Sequence, residues 1–161
     1  MLNIITHGED QMITVEDIMT RNPESLSRYN SLSDARKLMT EKHFRHIPIV
    51  DDNGELIGLV TQRNVLAHGI ASQDFADAEE LDKIEQGTLL ADIMTAKLVT
   101  VLPEVKIASA AQLVHKHKFG CLPVVDSDNK LVGIITDHDF VEITIQLLEM
   151  MESTEPMDFD D

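Results

Sequence analysis

Sliding the chain against itself by 75 positions lays DIMT, Asp17–Thr20, over a second DIMT, Asp92–Thr95, and the match then runs on without a gap. Ala35 meets Ala110, Leu38 meets Leu113, Phe44 meets Phe119, Pro48 meets Pro123, and Val50-Asp51 meets Val125-Asp126. Leu56, Gly58 and Thr61 then meet Leu131, Gly133 and Thr136. Thirteen of the 52 pairs from Val15 to Leu66 are identical, where average residue usage gives about three by chance. Such a duplication leaves few folds open. A unit of about 50 residues is too small to cover both faces of its own sheet, so the two units must bury their sheets on one another and fold as a pair.

Each copy carries the same local order. A short apolar stretch, ESLS at 24–27 or LVTVL at 98–102, precedes a segment with apolar residues at helical spacing. Leu32, Ala35, Leu38 and Met39 mark it in the first copy, and Ile107, Ala110, Ala111 and Val114 in the second. Asn30 or Ser31 suits the N-cap of the first helix. Two apolar strands follow, HIPIV and ELIGLV in copy one, CLPVV and KLVGIIT in copy two, across the turns DDNG and DSDN. Asn53-Gly54 predicts a type I′ hairpin, in which both central residues take positive φ. A second helix is expected to start near Gln62 and near Asp137. The expected class is α+β, two βαββα repeats packed pseudo-symmetrically through their sheets.

Within the 161 residues this divides the chain into a peripheral segment at 1–12, a first repeat at 13–70, a connector at 71–88, a second repeat at 89–151 and a tail at 152–161. The tail is acidic and aperiodic, so disorder is expected there. The stretch Ala67–Leu90 holds six acidic residues and one lysine and reads as a partly helical, solvated connector. No apolar run approaches the roughly 20 residues of a membrane-spanning helix, and the opening residues lack a signal-peptide pattern, so a cytoplasmic protein is expected. The one cysteine, Cys121, allows no intramolecular disulfide. Thirteen basic against 29 acidic side chains give a net charge of −16, which disfavours nucleic acid and anionic membranes as partners. A phosphate-bearing ligand would need a local basic pocket.

DIMT, the apolar-x-Pro strand, the Asp-rich turn and the closing GLVTQRN (Gly58–Asn64) or GIITDHD (Gly133–Asp139) occur in fixed order, twice. Together they resemble a tandem pair of CBS domains over about residues 13–150. The resemblance implies a Bateman module, two βαββα units joined by their sheets around pseudo-twofold clefts. Family members bind adenosine-containing ligands there, among them AMP, ADP, ATP and S-adenosylmethionine, and regulate an enzyme, transporter or channel.

The residues themselves suit that chemistry. Thr61 and Thr136 close a strand just before a helix, so a hydroxyl and the first free N–H groups of the helix converge where an anion can sit. Three residues on, Asn64 and Asp139 lie on the same helical face and can accept hydrogen bonds from ribose hydroxyls. Gly58 and Gly133 permit close backbone approach. Ile47 and Leu122, beside Pro48 and Pro123, can flank a base, and the two prolines read equally well as edge-strand punctuation. The competing reading of Thr61 and Thr136 with Asn64 and Asp139 is N-capping alone. The copies are not equivalent: Arg45, His46 and Arg63 of copy one face a phosphate better than the aligned Gly120, Cys121 and His138. Copy two, with Asp139, suits a nucleoside better.

Other clusters carry less. His43 with His46 is split between a helix end and a strand, and His115 with His117 points to two faces of a helix, so no metal site is expected. Cys121 sits in an apolar strand and reads as a small buried hydrophobe. Phe140, Ile143, Leu147 and Met151 fall at helical spacing along a long closing helix, which suits packing against a second copy. The expectation is a regulatory homodimer without catalytic residues or a required cofactor. It would sense an adenosyl ligand and signal to a separate effector protein. The alternative is a ligand-independent scaffold with vestigial sites.

Overall fold

The computed structural model describes residues 12–71 and 77–153; residues 1–11, 72–76 and 154–161, most of the expected peripheral segment and tail among them, lie outside the description. The chain runs α1 (Val15–Ile18), β1 (Thr20–Arg21), β2 (Leu26–Ser27), α2 (Leu32–Lys42), β3 (His46–Val50), β4 (Leu56–Thr61) and α3 (Gln62–Ala71). It continues through α4 (Ala78–Gln86), α5 (Leu90–Ile93), α6 (Ile107–His117), β5 (Cys121–Val125), β6 (Leu131–Thr136) and α7 (Asp137–Ser153). The fold is the expected α+β pair. No described helix is long and apolar enough to cross a membrane.

The copies are interlocked rather than merely apposed. β2, β3 and β4 form one three-stranded sheet, but the other has the order β1-β6-β5, so the strand that follows the first DIMT pairs with copy two, Thr20 opposite Ile134. The second DIMT reciprocates, Thr95 bridging to Leu59 of copy one. Backbone bonds repeat the exchange: Val15 N–H donates to Val105 C=O, and Leu90 N–H to Asn30 C=O, both at 2.8 Å. Val15, Ile18 and Met19 therefore bury in the core of Leu122, Val124, Ile135 and Ala110, while Leu90 and Ile93 bury with Leu32, Ala35, Ile47, Ile49 and Val60. Each DIMT segment is an apolar plug for the other copy, so neither copy has a complete core alone.

Local chemistry explains most boundaries. Ser31 caps α2, accepting from Asp34 N–H at 3.1 Å while Asp34 accepts from Ser31 N–H at 2.9 Å, a reciprocal capping box. That bond first, and the Asn30 side chain next, hold the Asp34 carboxyl below its ordinary value. The DDNG turn departs from the type I′ expectation, since Gly54 is left-handed (φ 79°) and Asn53 is not. The Asp51 carboxylate accepts from Asn53 N–H and Glu55 N–H, which holds the first part of the turn in a right-handed conformation. Asn129, aligned with Gly54, takes the same left-handed place (φ 61°) in copy two. Of LVTVL only an isolated parallel bridge from Val101 to Val124 forms.

The connector is also less solvated than its charge suggests. α4 lies on α2, with Ser33 Oγ donating to Asp82 at 2.7 Å and Arg36 gripping Glu85 through both Nε and an Nη2 contact of 2.6 Å. The Glu85 side chain is 4% exposed and that of Arg36 38%.

Candidate functional site

His46 pairs with Thr61 and Cys121 with Thr136 at the corresponding end of each sheet, and the chain beside these two ends, Arg45–His46 with Thr61–Arg63 and Gly120 with Asp137, lines one shared cleft. The cleft is open, with a volume of about 620 Å³. Copy one contributes Arg45, His46, Thr61, Gln62 and Arg63, and copy two contributes Val114, His115, Lys118, Phe119, Gly120 and Asp137. Its lining is basic: three permanently charged cations and two histidines face one carboxylate, in a chain of net charge −16. Lining of the opposite sign to the bulk of the surface concentrates an anion there.

Four of the ten predicted residues, Arg45, His46, Thr61 and Arg63, line this cleft. Asn64 and Thr61 instead close a capping box. Thr61 N–H and its hydroxyl donate to Asn64 Oδ1, each at 2.9 Å, and Asn64 N–H donates to Thr61 Oγ1 at 3.1 Å. Gln62 N–H is taken by Arg45 C=O at 2.8 Å. The start of α3 thus has fewer free donors than the motif implies, and the positive charge of the cleft comes from side chains. Thr136 and Asp139 repeat one side of the box in copy two, both Thr136 groups donating to Asp139 Oδ2.

One chemical difference follows. A backbone N–H can only donate, so Asn64 must turn its oxygen to Thr61, leaving its NH₂ as the outward atom. Asp139 with Oδ2 committed keeps a second carboxylate oxygen. The two positions are a donor and an acceptor.

Three expectations about site residues fall outside this cleft. Ile47 and Leu122 do not flank the cleft; both are 0% exposed in the cores beneath the helices, because alternation along β3 and β5 turns them away from the neighbouring sheet. His138 stands on the surface of α7, its side chain 77% exposed and 3.6 Å from Glu142. The close approach at the glycines is made by methionines: a Cβ on Gly58 would lie 2.9 Å from Met94 Cγ, and one on Gly133 would lie 3.0 Å from Met19 Cγ, with the sulfur nearer still in each case.

His115 and Lys118 were missed as site residues, since α6 and its cap belong to the other copy and nothing in their own repeat marks them; Asp137, which opens α7 inside GIITDHD, was passed over for Thr136 and Asp139. The histidine pair of α6 does diverge: His115 lines the cleft, and His117 stacks on Phe119 with centroids 5.2 Å apart. His46 lies against copy two, its Nε2 2.6 Å from where a Cβ of Gly120 would stand. Burial lowers its pKa, the Asp137 charge opposes that, and Arg45 adds to it. Cys121 is buried between the sheets with Leu59 and Ile134, and burial, with Asp137 second, pushes its thiol up to about 12.

Comparison with known proteins places this geometry. The model of the CBS domain matches residues 15–70 and again 90–145. A Vibrio cholerae crystal structure named for acetoin utilization (AcuB) is 44% identical, with 91% of this chain and 100% of that one covered at a TM-score of 0.73. CBSX2 of Arabidopsis thaliana, solved in complex with AMP, is 33% identical over 84% of this chain and 98% of that one, with a TM-score of 0.70. A third solved CBS-domain pair, in complex with 5′-methylthioadenosine and S-adenosyl-L-methionine, is 26% identical over 84% and 98%, with a TM-score of 0.68. The chain spans about a quarter of the length of the homoserine O-acetyltransferases it matches. In the one from Methanocorpusculum labreanum, 35% identity covers 87% of this chain and 25% of that protein.

Proposed function

The chain belongs to the CBS-domain family, and from that premise we propose that it is a regulatory module whose inter-copy cleft binds a phosphate-bearing adenosyl ligand. The observation that carries this reading is the sign of the cleft: Arg45, Arg63 and Lys118 converge from three elements of both copies in an otherwise acidic molecule. A phosphate there meets cations from each copy, so its binding free energy depends on how the copies sit, which is what a ligand must do to shift an equilibrium. That relatives of similar length were solved with AMP and with S-adenosyl-L-methionine supports an adenosyl ligand of this kind. Among these, three cations favour a nucleotide over a sulfonium.

The module has no catalytic role in this reading and signals to a separate effector protein in the cytoplasm. Of the stripe expected to meet a second copy, Ile143 is buried in the core and Phe140 packs against it, so in this reading the exposed Val141, Ile145 and Leu148, along another side of α7, form the contact of a homodimer. A second reading, a scaffold without ligand, is favoured by the complete capping box at Thr61–Asn64 and the Thr136 bonds to Asp139, because capping alone would retain those residues.

Thermal unfolding with AMP, ADP, ATP, S-adenosylmethionine and GTP separates the two. A ligand at about 100 times its dissociation constant stabilises by roughly 2.7 kcal/mol. The sensing reading expects an adenosyl-selective rise that Arg45→Ala and Arg63→Ala abolish. A rise with none of them leaves the scaffold.

A further inference from the structure

His46 belongs to copy one by sequence, yet its ring rests on the backbone of copy two at Gly120, in the cleft that Arg45, Arg63, Lys118 and Asp137 also line. Taking the cleft as the ligand site argued above, we propose that it binds its anion together with a proton, and that His46 is the group that takes the proton up.

Charged and titratable groups reach the ring's surroundings from every side. Arg45 precedes it on the chain, Arg63 comes from α3, His115 and Lys118 from α6 and its cap, and Cys121 and Asp137 from β5 and α7. In the free protein burial works against the imidazolium, Asp137 is the one group that favours it, and the result is a His46 pKa below the ordinary 6.5. The ring is therefore neutral at neutral pH. A bound dianion reverses the balance: it offsets Arg45, Arg63 and Lys118 and adds negative charge beside a half-buried ring, where screening by water is weak. The imidazolium then becomes the favoured form. His115 lines the same cleft from the exposed surface of α6, where water screens the anion.

The sign follows from linkage. His46 has a lowered pKa in the free protein and a raised one in the complex, so affinity is flat above the bound value, climbs as pH falls between the two values, and is flat again below the free one. Cleft occupancy would then report acidity as well as ligand.

The test uses sulfate, which stays a dianion throughout and so contributes no titration of its own. The full-length protein is titrated from pH 5 to 8.5 by NMR of its histidine ring signals, in sodium chloride and in sodium sulfate of matched ionic strength, with His46 assigned by His46→Asn. The expected result is a His46 midpoint raised by about one unit in sulfate, with about three- to sixfold tighter sulfate binding at pH 5.5 than at pH 7.5, since a one-unit shift reaches about tenfold only across both plateaus, and less than about twofold change in His46→Asn. Sulfate binding with an unmoved His46 midpoint overturns the proposal and leaves the ligand reading standing, as does an undiminished pH dependence in His46→Asn. If neither sulfate nor AMP perturbs Arg45, Arg63 or Lys118 signals at any pH, the ligand reading fails and the coupling falls with it.

Discussion

Adding one methyl group at Gly133 tests whether the exchanged DIMT segments hold the fold together. Gly133 lies in β6 directly beneath Met19 of the first DIMT, and a Cβ there would meet Met19 Cγ at 3.0 Å and the Thr20 carbonyl oxygen at 3.1 Å, with the sulfur inside both. A methionine side chain can swing aside, but the carbonyl belongs to β1, whose pairing with β6 fixes its position. Gly133→Ala must therefore push β1 off β6 or leave the methionine strained, an overpacking cost of about 1–3 kcal/mol. The gain in strand preference of Ala over Gly returns only roughly 0.5–1 kcal/mol of this. For a chain of this size the net loss lowers Tm by roughly 2–4 °C per kcal/mol. The decisive measurement is a double-mutant cycle with Met19→Ala, followed by urea unfolding. Met19→Ala alone opens a cavity and costs about 2–5 kcal/mol, yet it also removes the Cγ and sulfur that the new methyl strikes. The double variant should be more stable than the sum of the singles predicts, by about 0.5–3 kcal/mol. Additive losses, or a neutral Gly133→Ala, would refute the claim that this glycine exists to admit the other copy's methionine.

Arg36→Ala strands the Glu85 carboxylate, 4% exposed, without its partner. The loss should reach about 2–3 kcal/mol, below the usual cost of breaking a buried pair because Arg36 is partly solvated. The double variant Arg36→Met/Glu85→Leu should recover most of it in thermal unfolding; no recovery would mean that α4 is held by something else. Asp34 has a lowered folded pKa, so its stabilising effect is full above 3.8 and is lost as pH falls through the folded value. Urea midpoints should drop more between pH 5 and pH 2 for the wild type than for Asp34→Asn, and equal drops would count against the capping box. With its thiol pushed up to about 12, Cys121 should react with DTNB at pH 8 only through unfolding. Fast labelling of the native protein would place it outside the inter-sheet core.

The repeat made the element order legible, because each copy supplies its own helical and strand periodicities and the 75-residue shift checks one against the other. Ser31, the starts of α3 and α7 and the strands HIPIV and CLPVV follow from local chemistry alone. What the repeat could not show is which copy each segment serves. A shift along the chain maps Met19 onto Met94 whether each methionine covers its own glycine or the other one, so the exchange leaves no trace in the alignment. The cleft was half legible for the same reason. Arg45, His46 and Arg63 stood out against their aligned residues, but His115, Lys118 and Asp137 reach the site only across the pseudo-twofold axis. Exchange and cleft are thus one property seen twice. Each repeat is completed by the other at its core and at its ligand-facing end, so a ligand that draws Arg63 toward Lys118 acts on the same inter-copy geometry that the two methionines hold. If that is so, the Gly133→Ala strain should weaken adenosyl binding although no atom of Gly133 or Met19 lines the cleft. An unchanged affinity in a folded Gly133→Ala protein would separate the two.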